Sequence, residues 1–104
     1  KIIMTDTISI DDDGTDLQVT ITESGVAVDI SAATAYAVIL KDPDGIETEK
    51  TAAVLNDGTD GIIHYVLTVA DKNGKVGEWS YKGKVTFSPT QIFHSIDPEV
   101  FEVV

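Results

Sequence analysis

The chain of 104 residues contains no cysteine and no arginine. Without cysteine it has neither a disulfide framework nor a thiolate metal site. Without arginine it lacks the planar donor that reads guanine and pairs two-pronged with phosphate or carboxylate. Its fixed cations are seven lysines, set against eighteen Asp and Glu residues, for a formal net charge of −11. Such a surface repels a phosphate backbone and an anionic lipid headgroup, so neither nucleic acid nor membrane is expected as a partner. Long apolar runs are missing too. No stretch of eighteen apolar residues occurs, and residues 1–7 lack the apolar centre of a signal peptide. Helical periodicity is the last absence, because nowhere do apolar residues recur at helical spacing over ten residues.

What remains is a composition of 42% apolar and 24% charged residues in a length that suits one domain, taken as residues 1–104. A chain of this size buries enough surface to fold without a metal or a cross-link. Within it, period-two alternation recurs between turn signals. A first strand ends in Ile8 and Ile10, before the acidic run Asp11, Asp12, Asp13, Gly14. Leu17, Val19 and Ile21 then alternate with Gln18, Thr20 and Thr22, and Glu23-Ser24-Gly25 turns the chain into residues 26–30. Residues 34–41 place Tyr36, Val38 and Leu40 on one face and Ala35, Ala37 and Ile39 on the other, a strand expected to be covered on both sides.

Asp42-Pro43-Asp44-Gly45 carries type I turn chemistry. Residues 46–55 read as one polar edge strand. After the two-glycine loop 56–61, Ile63, Tyr65, Leu67 and Val69 alternate with Ile62, His64, Val66 and Thr68. Residues 70–76 are the one place for a helical turn, closed by Asn73-Gly74. Trp79, Tyr81, Gly83, Val85 and Phe87 form the most regular alternation, and a last strand runs to Val104 across Pro98. Seven or eight antiparallel strands without helices predict an all-β, immunoglobulin-like β-sandwich. The expected core includes Ile21, Tyr36, Val38, Leu40, Tyr65, Leu67, Trp79, Tyr81, Val85 and Phe101.

The segments Val28-Asp29-Ile30-Ser31-Ala32-Ala33-Thr34 and Lys41-Asp42-Pro43-Asp44-Gly45 flank the third long strand. With Gly61-Ile62-Ile63-His64-Tyr65-Val66-Leu67-Thr68, Gly77-Glu78-Trp79-Ser80-Tyr81 and the closing Phe101-Glu102-Val103, they resemble the N-terminal immunoglobulin-like domain of the phage baseplate upper protein family. The resemblance spans residues 8–104 and departs from the family at Ala32-Ala33 and in the acidic loop 56–61. It implies a structural domain of the virion, in a tail, baseplate, neck or capsid appendage, with other virion structural proteins as partners.

Candidate chemistry is thin. Catalysis needs a nucleophile with its base, a carboxylate pair in a cleft, or an open metal site. The two histidines, His64 and His94, lie on strands without a G-x-S-x-G or comparable context, so no enzyme and no cofactor is expected. Asp11, Asp12, Asp13 and Asp16 are the calcium candidates, but they lack the alternating spacing and distal glutamate of an EF-hand and read as a solvated turn. Trp79, Tyr81 and Tyr36 would suit a sugar-stacking platform, yet the phase of Trp79 with Val85 and Phe87 points it inward. The last strand holds more apolar residues than one inward face buries, so Ile92, Phe93, Ile96, Val100, Phe101 and Val103 are the candidate interface of a homo-oligomer. A carbohydrate- or receptor-binding module of a phage fibre or bacterial surface protein is the alternative function.

Overall fold

A computed structural model describes residues 6–104. Eleven strands follow in chain order: β1 (Asp6–Ile8), β2 (Thr15–Thr20), β3 (Thr22–Glu23), β4 (Val26–Ala27), β5 (Ala35–Lys41), β6 (Glu47–Thr51), β7 (Ala53–Val54), β8 (Ile62–Leu67), β9 (Gly77–Ser88), β10 (Gln91–His94) and β11 (Glu99–Val103). The one helix among the described residues, α1 (Val69–Lys72), is a single turn between β8 and β9. The larger sheet has the order β1-β11-β9-β5-β6, with β10 also on β9; the smaller has the order β2-β8-β7, and β3-β4 is a separate hairpin. β8 and β7 pack over β5, and β2 packs over β9. The chain is an all-β sandwich with the strand order of immunoglobulin-like domains.

Alternation explains why these strands pair and then stack. In β2, Leu17 and Val19 are buried while Asp16, Gln18 and Thr20 face water. In β9, Trp79, Gly83 and Val85 are buried, and they meet Ile21, Val38, Leu40, Ile63, Leu67 and Phe101 in one core. Burying each such large apolar side chain stabilises the fold by about 1.5–3 kcal/mol. Gly83 leaves room for the facing sheet: a Cβ there would lie 3.0–3.1 Å from Val19, Ile21 and Ile63 side chains. All ten expected core residues lie in this cluster or pack against it, with Tyr36, Tyr65 and Tyr81 half-buried at its rim.

Several expectations need correction. Among the described residues the strands number eleven, because β3, β4 and β7 are two-residue pieces too short to alternate. The β1–β11 pair is parallel, so the larger sheet is mixed and not wholly antiparallel. Residues 46–55 do not form one strand. β6 pairs with β5 at the edge of the larger sheet, the Ala52 N–H still bonds to the Tyr36 carbonyl, and β7 then joins β8 in the smaller sheet. The charged run of β6 gives way to Ala52, Ala53, Val54 and Leu55 where the chain changes sheets, a shift in composition that reading one strand through residues 46–55 passes over. On the outer face of β5 only Ala37 is buried; Ile39 is half-exposed and Ala35 exposed, since no layer covers it. Val69 starts α1 instead of ending β8. The last strand is two, β10 and β11, which lie along successive stretches of β9.

Candidate interaction site

Strand directions bring the 42–46 turn, α1, loop 9–14 and the start of β9 to one end of the sandwich. α1 forms there because Thr68 and Asp71 make a capping box. The Thr68 hydroxyl accepts the Asp71 N–H at 3.2 Å, and the Asp71 carboxylate accepts the Thr68 N–H at 3.0 Å. Asn73 ends the turn in the left-handed conformation, φ 51°. The Asp71 side chain, only 7% exposed, also accepts the Tyr65 hydroxyl at 2.5 Å and pairs with Lys50 at 3.3 Å. Burial alone would raise its pKa, but the bonds from Tyr65 and Thr68 outweigh it and hold the carboxyl below the usual carboxylate range. Burial and the adjacent Asp71 push the Tyr65 phenol up to about 12.

Beside this network Lys75 pairs with Asp42 at 2.8 Å and Asp44 at 3.0 Å. The Lys75 hydrogen bond and the Ile46 N–H hold Asp42 below its ordinary value, and the same carboxylates raise Lys75. The Trp79 Nε1–H donates to the Lys75 carbonyl at 2.9 Å, and the indole stacks on Phe101 with centroids 6.2 Å apart. A cleft of about 400 Å³ opens between Ile46, Lys50, Asp71, Lys75 and the buried Trp79.

The acidic loop does not converge on an ion. Asp12 Oδ2 accepts the Ser9 N–H and Asp13 Oδ1 the Val69 N–H, each at 3.1 Å. Asp16 Oδ1 lies 2.7 Å from His64 Nδ1, while its Oδ2 accepts Gln18 Nε2–H at 2.8 Å. The Gln18 bond chiefly, with His64, keeps the Asp16 carboxyl below its ordinary value. Among the described residues no three His, Asp or Glu side chains are placed to share a metal, and Asp11 is exposed. The loop is instead anchored from beneath by Lys72, whose side chain is fully buried and whose Nζ–H donates to the Asp12 carbonyl.

Sequence reasoning missed Lys72 altogether, because a lysine in a polar turn gives no sign of burial. The Tyr65–Asp71 tie was readable in part, since Thr68-x-x-Asp71 has capping-box spacing. His64 sits on the outer face of the smaller sheet with its ring against Asp16, and His94 is exposed on β10. Trp79 is 3% exposed and Tyr36 donates its hydroxyl to the Ile30 carbonyl at 2.8 Å, so these rings offer no exposed stacking platform.

The terminal segment divides into two sets. Phe101 and Val103, expected at an interface, are 3% and 1% exposed: β11 lies between β9 and β1, which turns both into the core. Phe93 is half-buried, edge-on to Phe87 at 5.8 Å. Val100 is half-buried, and Ile92 and Ile96 stand exposed at 43% and 73%. Ser95 pins the crossing between β10 and β11, accepting the Gly83 N–H on Oγ and donating its own N–H to the Gly83 carbonyl, both at 2.9 Å. Ile96 and Val100 look onto two adjoining grooves along β2, of about 240 and 310 Å³. No family model matches the chain, and no curated protein matches it.

Proposed function

We propose that this domain is a structural, non-enzymatic assembly module of a bacteriophage virion, placed in a tail, baseplate, neck or capsid appendage and contacting other virion proteins or copies of itself. The resemblance of its turn and strand motifs supports the virion, and the immunoglobulin-like strand order suits a role carried by surfaces. The observation that carries the assembly role is the flank formed by β10 and the 95–100 segment. There Ile92 and Ile96 stand in water in a segment that also carries half-buried Val100, on a chain with a large excess of acids. A net charge of −11 per chain opposes self-association, so an oligomer strengthens as salt rises. Ile92→Asp tests the reading, because its side chain is exposed and the core stays intact. Particles assembled with the variant should carry less of the protein, while its melting temperature stays unchanged. Normal incorporation, together with a strict monomer at high salt in light scattering, would remove the proposal's support.

A further inference from the structure

The smaller sheet ends on a strand that is open for pairing. Among the described residues β2 has β8 as its only strand neighbour. Two bonds fix which of its main-chain groups are engaged: the Ile21 N–H donates to the Gly61 carbonyl, and the Leu55 N–H to the Ile62 carbonyl. Bonded pairs in an antiparallel ladder recur at every second residue, so odd-numbered residues of β8 bond to β2 and even-numbered ones to β7. In β2 the odd residues are therefore engaged with β8, and the N–H and C=O groups of Asp16, Gln18 and Thr20 point away from the sheet. The Tyr81 hydroxyl reaches the Gln18 carbonyl at 3.4 Å across the gap between the sheets.

The space beside this edge has a defined shape and charge. A sheet of six strands faces one of three, and with β2 over β9 the overhang falls on the side of β11 and β1. The two grooves lie in that overhang. Leu17 and Phe101 give one an apolar floor, and Val19 and Ile96 do the same for the other. The charged residues that line them are Asp16, Asp97 and Glu99, all acidic.

We propose that this edge takes up an extended, basic segment of a partner protein as a fourth strand of the smaller sheet. Its main chain pairs with Asp16, Gln18 and Thr20, alternate apolar side chains enter the two grooves, and lysines or arginines between them meet Asp16, Asp97 and Glu99. A second copy of this chain is a poor occupant, since it brings a charge of −11 and no arginine. The inference rests on the reading of the domain as an assembly module and names the chemistry of its partner.

Fluorescence anisotropy of the full chain with two labelled nine-residue peptides tests it, one alternating valine with lysine and one alternating valine with glutamate. The valine–lysine peptide should bind saturably and weaken about tenfold as salt rises through the range where the Debye length shrinks, and the valine–glutamate peptide should not bind. The exposed pair Asp97→Lys/Glu99→Lys should cost the basic peptide about tenfold in affinity and confer binding on the acidic one. Gln18→Pro should abolish binding, because it removes an outward N–H and leaves the bonds to β8 in place. Equal binding of both peptides, unchanged affinity after charge reversal, binding retained by Gln18→Pro, or no saturable binding at millimolar peptide would each overturn the proposal. None of these outcomes bears on incorporation of Ile92→Asp into particles, which judges the assembly role separately.

Discussion

At the end where β5 turns into β6 and β8 runs into α1, the loops are tied by charged side chains; at the opposite end they are tied by main chain. The first end holds Lys72 under the Asp12 carbonyl, Lys75 between Asp42 and Asp44, and Asp71 between Tyr65 and Lys50. At the second, the Ile30 N–H bonds to the Gly58 carbonyl at 2.9 Å, Ile21 to Gly61 at 2.8 Å, and Val28 to Ile21 at 2.9 Å. Of its carboxylates, Asp29 and Asp57 cap only their own loops: each accepts the hydroxyl and the N–H of the residue two further on, Ser31 and Thr59, and is held below the usual carboxylate range chiefly by that hydroxyl. The first end should therefore respond to pH and to loss of a side chain, and the second to loss of a glycine.

The largest effect is expected at the floor of the charged end. Trp79→Ala removes an indole stacked on Phe101 and frees the Lys75 carbonyl, and should cost about 3–5 kcal/mol. That approaches the whole stability of a domain this size. A urea midpoint implying less than about 1 kcal/mol would mean that the ring is not core. Lys72→Ala should follow at about 3 kcal/mol, because it leaves both a cavity and an unpaired buried carbonyl, whereas Lys72→Met should cost about 1 kcal/mol by keeping the volume. Equal losses in the two variants would place the stabilisation in the ammonium and not in the packing of the stem.

At the main-chain end, Gly61→Ala should cost about 2–3 kcal/mol. Gly61 has φ +74°, and a Cβ would lie 2.8 Å from the Val28 carbonyl oxygen and 2.9 Å from that of Ile21. The obstacle is backbone, so no side chain can swing aside to make room. A variant as stable as the parent would show that loop 56–61 adapts, and would erase the contrast between the two ends.

The sequence displays these ends unequally. The 42–45 turn, the Asn73-Gly74 stop and the phase of Trp79 were legible because each rests on local chemistry: proline and glycine dihedrals, a left-handed cap, alternation. The same alternation located the core faces of β2, β5, β8 and β9. What escaped depends on contacts distant in the chain. Lys72 is buried because loop 9–14, 60 residues away from it, closes over its amine. The passage from β6 to β7 is marked by the change from charged residues to Ala52, Ala53, Val54 and Leu55, but that the second piece pairs with β8 depends on a strand further along the chain. Along the terminal segment the excess of apolar residues was visible, but its division needed the register: Phe101 stands opposite Trp79 and Val103 opposite Gly77, which turns both inward and leaves Ile92 and Ile96 outside.

A smaller predicted effect than the losses at Trp79 and Gly61 is the most diagnostic of the charged end, because it depends on pH. Tyr65 donates to a nearly buried carboxylate, so Tyr65→Phe should cost about 1–2 kcal/mol at neutral pH. The two partners titrate in opposite directions. Asp71 has a folded pKa below its ordinary value near 4, so its contribution is complete above that value and is lost as pH falls through the lower folded one. Tyr65 is raised from 10.0 to about 12, so its contribution is complete below pH 10 and is lost as pH rises towards about 12. Acid also protonates Asp42 and Asp16, which blurs the lower limb, and Lys75 discharges in alkali, which adds to the upper one. The difference in urea midpoint between the parent and Tyr65→Phe cancels these shared terms. It should stay constant from about pH 6 to 9 and shrink towards zero between about pH 10 and 12. A difference that holds its full size at pH 12 would show that the phenol is not the group that ties α1 to the smaller sheet.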